Sequence, residues 1–301
     1  MSGTAVAALL TVVVSQSAAS VGPYQRQKNV VYAEVHGIGL LMDIFVPTGH
    51  RNGLGIVDVA SGAWHSDRGK LRDHEKAGVF RVFCQKGFTV FAVRPGSVTK
   101  FSALEMLDHV QRGIRWVKQH AEAYSIDPNR LGLMGASAGG HLACLAAVVG
   151  GRSHASTGSA ATDASVRAVA AFFPPTDFLQ YGEQRVDPRA DDFVGRVVRR
   201  LAFPEGLEGL SDEQIHERLV QISPARRVSK NAPPFLLIHG DADILVPLQQ
   251  SRVMIRALKK AEVPAELIVK KGGGHPWLSI PNEVAVMADW FSRQLAAQAA
   301  P

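Results

Sequence analysis

The chain is poor in cysteine, with two in 301 residues, Cys84 and Cys144. So few thiols rule out a disulfide-built scaffold, and neither lies on a glycine-flanked turn of the kind that presents a catalytic cysteine. Their apolar-periodic surroundings suit buried free thiols, with a mutual bond the alternative. Basic runs interleaved with aromatics are missing too, despite a formal net charge of +6. The nearest cluster, Arg196 to Arg200, reads as a solvated helix face, so nucleic acid is not an expected partner. No stretch reaches the ~18 continuous apolar residues of a membrane span. Gly272-Gly273-Gly274 lacks the Lys-Ser/Thr of a phosphate loop. Asp241 and Asp243 lack a His or Cys partner at ligand spacing, so no metal is expected, nor any organic cofactor. Internal repeats, linkers and low-complexity tracts are absent between Gln25 and the end.

Hydrophobic residues make up 46% and charged residues 20%, the balance of a globular domain with a full core. The first segment, 1–24, carries an apolar run (Ala5 to Val14) and then small residues, as a secretory leader does, but no preceding Lys or Arg. A secreted or periplasmic protein is expected if it acts as a signal, a cytoplasmic one otherwise. Residues 25–301 read as one domain.

Two β-rich runs, Asn29–Val35 and Leu40–Val46, flank His36-Gly37-Ile38-Gly39 and predict an antiparallel hairpin. From Gly55 strands alternate with helices. Strands are expected at Ile56–Ala60, Phe88–Val93, Leu131–Met134, Val166–Phe173 and two later runs. Helices are expected at Arg72–Lys86, Ala103–Tyr124 (capped by Ser102), Leu248–Ala261 and Asn282–Ala297. This order predicts an α/β fold: a mostly parallel sheet with helices on both faces. Residues 181–223 break the alternation with two short helical patterns, Val194–Leu201 and Ser211–Leu219. Their place in the order suits a small cap over the C-terminal edge of the sheet, or a plain surface excursion.

What the chain does have is Gly135-Ala136-Ser137-Ala138-Gly139, set between the apolar run Leu131–Met134 and a helix-like stretch from His141. Small residues on both sides of a serine at a strand-to-helix turn expose its hydroxyl, and the helix behind it aims N–H groups at a developing oxyanion. Such a nucleophile calls for an acid and a histidine downstream, each after a strand. Pro233–His239 ends in Gly240-Asp241-Ala242-Asp243, and Ala265–Lys271 ends in the triple glycine and His275. Either aspartate satisfies the order. His141 and His239 are rival histidines with poorer positions.

These residues, together with Gly113–Lys118 and Ile126–Leu142, resemble the α/β-hydrolase superfamily, within it the carboxylesterase/lipase group that includes bacterial feruloyl- and acetyl-ester hydrolases. The resemblance runs from about Val30 to the C-terminal helix and implies an α/β-hydrolase fold. It implies Ser137 as nucleophile, His275 as base and Asp243 as the acid, leaving Asp241 to bond its own backbone in a turn. Relatives carry His-Gly-Gly-Gly-Trp where this chain has Ala60-Ser61-Gly62-Ala63-Trp64. Backbone N–H groups of Ala138 and of Gly62 or Ala63 would then line the oxyanion hole, with the Ser61 hydroxyl an alternative. Trp64, Phe173 and Trp277 flank these loops and are expected to contact substrate. The expected activity is hydrolysis of short-chain or carbohydrate-linked (acetyl or feruloyl) esters. A serine peptidase-like amidase or a non-catalytic binding protein on the same fold is the alternative. Oligomeric state is not legible.

Overall fold

The computed structural model describes residues 22–150 and 163–296. The expected leader lies almost wholly outside them. A long antiparallel pair, β1 (Tyr24–Val35) and β2 (Ile38–Pro47), comes first. Its tight turn is His36-Gly37 alone, because Ile38 and Gly39 already pair with Val35 and Glu34. A two-residue hairpin, β7 (Gln180–Tyr181) with β8 (Gln184–Arg185), stands apart. The other strands are β3 (Gly55–Val59), β4 (Thr89–Val93), β5 (Leu131–Ala136), β6 (Ala168–Phe172), β9 (Phe235–Gly240) and β10 (Ala265–Lys270). These six pair in parallel with one another, and β2 joins β4 antiparallel. The result is one eight-stranded sheet in the order β1-β2-β4-β3-β5-β6-β9-β10.

Helices cover both faces, as βαβ crossovers require. The central strands β3, β4, β5, β6 and β9 are buried on both sides, and successive residues pack into different cores. Val57, Phe91, Leu133 and Leu237 join the core under α3 (Ala103–Gln119), α4 (Ala138–Gly150) and α7 (Gln249–Lys260). Ile56, Val90, Met134 and Leu236 join the opposite core under α2 (Val79–Gln85) and α8 (Ile280–Ala296). That alternation is the period-two direction of strand side chains. Cys84 sits in the second core and Cys144 in the first, so the sheet separates two free, buried thiols. Burial pushes the Cys84 thiol up to about 12.

The local signals behave as expected at most ends. Ser102 caps α3 with a reciprocal bond from Glu105, and Ser211 with Gln214 does the same for α6 (Asp212–Gln221). Two helices depart from expectation: α3 stops at Gln119, with a separate 3-10 turn at Glu122–Tyr124, where one helix to Tyr124 was expected, and a second stretch is split. The periodic stretch Arg72–Lys86 is two helices, α1 (Arg68–Lys76) and α2, broken where Gly78 takes the left-handed conformation at φ 78°. The buried residues of α1 (Leu71, His74) and of α2 (Val79, Phe80, Phe83, Cys84) do not continue one helical phase across Gly78, whose freedom at positive φ lets the chain turn there. The segment 181–223 holds β8, α5 (Phe193–Ala202), α6 and the end of β7.

Because β3, β4, β5, β6, β9 and β10 run parallel, the loops that follow β3, β5, β6, β9 and β10 emerge at one edge. The chain places its chemistry-bearing residues on those loops.

Candidate active site

Ser137 follows β5 directly, with φ at 53°, a conformation costly for a residue with a side chain. Its N–H donates to the Phe172 carbonyl (2.9 Å) and its carbonyl accepts from His141 (2.8 Å), so both neighbouring elements hold the turn. The glycine two residues on is required by close approach. A methyl group at Gly139 would lie 2.2 Å from the Val59 carbonyl oxygen, far inside contact distance. Through that gap Gly139 N–H donates to the Ser61 carbonyl (3.0 Å), stitching the nucleophile turn to the loop after β3.

The three expected residues meet at the sheet edge. The Ser137 hydroxyl donates to His275 Nε2 at 2.9 Å, and His275 Nδ1–H donates to Asp243 Oδ2 at 2.7 Å. The other Asp243 oxygen accepts the N–H groups of Leu245 and Val246, each at 2.9 Å. Burial by itself would raise the Asp243 carboxyl. Hydrogen bonds from His239, His275 and the Val246 N–H outweigh it and hold the group well below the usual carboxylate range. Asp243 is therefore an anion facing the imidazole. Asp241 stands apart from this chain of bonds, and it does not bond its own backbone as expected. It accepts the N–H of Gly272 (2.6 Å) and so anchors the start of the glycine run that carries His275.

The rival histidines are both occupied. His239 is buried, bonded to Ser251 Oγ (2.7 Å) and the Val246 carbonyl (2.8 Å). His141 is buried at the first turns of α4. Trp64 Nε1–H donates to its Nδ1 (3.0 Å), and its Nε2–H donates to the Ile222 carbonyl (2.7 Å). Burial lowers the His141 imidazole to about 4, so it is neutral. It ties together the loop after β3, the helix behind Ser137 and the end of segment 181–223. Sequence reasoning weighed His141 only as a base; the pairing of two residues 77 positions apart leaves no local signal.

The loop after β3 corrects one expectation. Gly62 N–H donates to the His65 carbonyl (3.0 Å) within a tight turn, so it is committed and does not face the site. Ala63, in the left-handed region at φ 48°, and Ala138 keep N–H groups that no acceptor among the described residues takes up. The Ser61 hydroxyl is buried without a partner. Beneath this loop lies a pair the sequence did not reveal: His74 Nδ1–H donates to the buried Asp58 carboxylate at 2.7 Å. Burial would depress the His74 imidazole, but the Asp58 charge and hydrogen bond overcome it and raise it.

A cavity of about 820 Å³ opens over Ser137 and His275. Trp64, Phe173 and Trp277, the three expected contact residues, all line it, whereas Phe172 turns into the core. The Phe173 ring packs 4.2 Å from the His275 ring, centroid to centroid. Trp277 is held by Glu283, which accepts its indole N–H at 2.9 Å. The far wall is α5, through Phe193, Val194, Val197, Arg200 and Leu201. Tyr181 Oη donates to the Leu245 carbonyl (2.9 Å), linking segment 181–223 to the acid loop. Among the described residues no group of His, Cys, Asp and Glu is placed to hold a metal ion, and no helix is long and apolar enough to cross a membrane.

A parallel sheet entered by an antiparallel pair, with a serine on a strained strand-to-helix turn, is the architecture of the α/β hydrolases, and the similarities to esterases place the chain in their carboxylesterase group. Within that group the chain belongs to the BD-FAE family, whose model matches residues 42–258. Among curated relatives, the probable carboxylic ester hydrolase LipM of Mycobacterium tuberculosis is 26% identical over 68% of this chain and 44% of its own. Esterase LipC of the same organism is 32% identical over 55% of this chain and 39% of its own. The chain thus spans less than half the length of these relatives. Among solved structures, a truncated carbohydrate esterase from gut microbiota superposes with a TM-score of 0.72. It is 25% identical and is matched over 91% of this chain and 98% of its own.

Proposed function

We propose that the protein is a serine carboxylic-ester hydrolase. The observation that carries this is the continuous chain of hydrogen bonds Ser137–His275–Asp243 at the floor of the cavity. Ser137 Oγ attacks the ester carbonyl carbon as His275 Nε2 takes its proton. Asp243 holds the imidazole in the Nδ1–H tautomer and stabilises its cation. The tetrahedral oxyanion accepts from the N–H groups of Ala138 and Ala63, each such donor contributing roughly 3 kcal/mol to lowering the barrier. Collapse passes the proton to the leaving alcohol and leaves an acyl-serine. Water, deprotonated by His275, then releases the acid and restores Ser137.

The substrates proposed are short-chain or carbohydrate-linked esters, acetyl and feruloyl among them. The similarity to a carbohydrate esterase supports the second class. The segment 181–223 acts as the cap, its helix α5 walling the cavity. The test is hydrolysis of p-nitrophenyl acetate, butyrate and octanoate by the wild type and Ser137→Ala. Turnover that disappears in the variant supports the mechanism, and the chain-length profile sizes the acyl site. A folded wild type that cleaves anilides in preference to esters would replace the reading with an amidase.

A further inference from the structure

Half of the large apolar side chains that the described residues leave exposed gather at the mouth of this cavity. Ile244 is 99% exposed and Leu245 44%, on the loop bearing Asp243; Leu278 is fully exposed on the loop bearing His275; Phe193 is 56% exposed at the start of α5. Three of the four line the cavity, and Ile244 sits between Asp243 and Leu245. They come from three separate parts of the chain, so the apolar rim is assembled by the fold rather than by one sticky segment. Lone exposed apolar residues need no explanation, whereas a cluster around one opening does.

The charges beside the rim point to what covers it. Lys76 on α1 and Arg200 on α5 both line the cavity and are exposed, and neither has an ionic or hydrogen-bond partner among the described residues. Elsewhere on α5 the cations are paired: Arg196 and Arg199 both reach Asp191. Apolar side chains that stand in water, flanked by unpaired cations, match the two layers of an anionic lipid surface, acyl chains within and acidic headgroups at the rim.

We infer that the cavity mouth docks on an anionic lipid–water interface, so that the esters reaching Ser137 include those held in or on such a surface. The inference extends the esterase reading of the site, but docking itself does not depend on it. Insertion of Ile244 and Leu278 would supply apolar burial, and Lys76 and Arg200 would add salt-sensitive attraction.

The test is co-flotation of the full chain with phosphatidylcholine vesicles prepared with and without phosphatidylglycerol, at low and high salt. Hydrolysis of soluble p-nitrophenyl acetate is measured on the same preparations. Binding to the anionic vesicles only, weakened by salt, is expected. Ile244→Ser should weaken it about tenfold, the loss of one inserted aliphatic side chain, with acetate turnover unchanged. Ile244→Ser with Leu278→Ser should abolish it, and Lys76→Gln with Arg200→Gln should remove its salt dependence. Flotation that fails for both vesicle types, or that ignores these substitutions, overturns the inference even if acetate is hydrolysed. So does a concentration-dependent dimer that Ile244→Ser dissociates, since a second copy would then be what covers the rim. Loss of acetate turnover in a wild type that still floats would instead count against the esterase reading alone.

Discussion

Acidification should weaken this fold through one buried histidine. His141 is fully enclosed, and burial takes its imidazole from the ordinary 6.5 to about 4 in the folded chain. Between those values the unfolded chain binds a proton that the folded chain refuses. The stabilisation is therefore complete above pH 6.5 and is lost as pH falls toward 4. Each tenfold difference in proton affinity between the two states is worth roughly 1.36 kcal/mol. The loss is then on the order of 3 kcal/mol, a large share of a typical domain stability of about 5–15 kcal/mol. The surroundings explain why no relief is available. Trp64 and Phe178 crowd the ring, and the nitrogen that would gain a proton already receives the Trp64 N–H. Protonation sets two donors against each other and loosens the turn that carries Ala63. The assay is urea unfolding of the wild type and His141→Gln at closely spaced pH values across this range. Glutamine offers an uncharged acceptor and donor but does not titrate. The wild-type curve should fall more steeply by about 3 kcal/mol over the interval, whatever other groups contribute to both. Parallel curves for the two proteins would refute the reasoning.

Trp64→Phe removes the indole N–H together with part of the ring and leaves His141 Nδ1 buried without a donor; a stability loss of at least about 1–3 kcal/mol and a lower kcat are expected from unfolding and steady-state kinetics. Asp243→Asn keeps the volume but removes the anion that orients His275, so kcat should drop by roughly 10⁴-fold with little change in KM. Gly139→Ala forces a methyl against the Val59 carbonyl, which is backbone and cannot swing aside. A loss of about 3 kcal/mol or more should appear as a lowered melting temperature or insoluble expression. Gly62→Ala meets only the flexible Lys70 side chain and should be tolerated far better, by the same thermal assay.

Much of this protein is written locally. The positions of the six parallel strands followed from short apolar runs ending at glycine or a turn, whereas the short β7–β8 pair did not. The nucleophile turn was legible because a serine in that strained conformation admits only small neighbours, a constraint that falls on adjacent residues. Ser102 and Ser211 open their helices for the same reason, since a cap bonds three residues ahead. The order of serine, acid and histidine along the chain needed only that each follow a strand.

Other matters depend on groups far apart in the chain. Asp243 is distinguished from Asp241 in the fold by whose N–H groups reach each carboxylate: Leu245, Val246 and His275 for one, Gly272 for the other. The Gly62 N–H is lost to the site because a turn closes onto His65. The Asp58–His74 pair and the Trp64–His141–Ile222 chain join elements that no local pattern relates. The order of residues was enough to say which of them could bend, cap or cross the sheet, because steric contact between near neighbours settles those choices. Which polar groups are satisfied, and which are left facing the cavity, was settled only when the strands lined up, since a hydrogen bond is made by position in space and not by position in the chain.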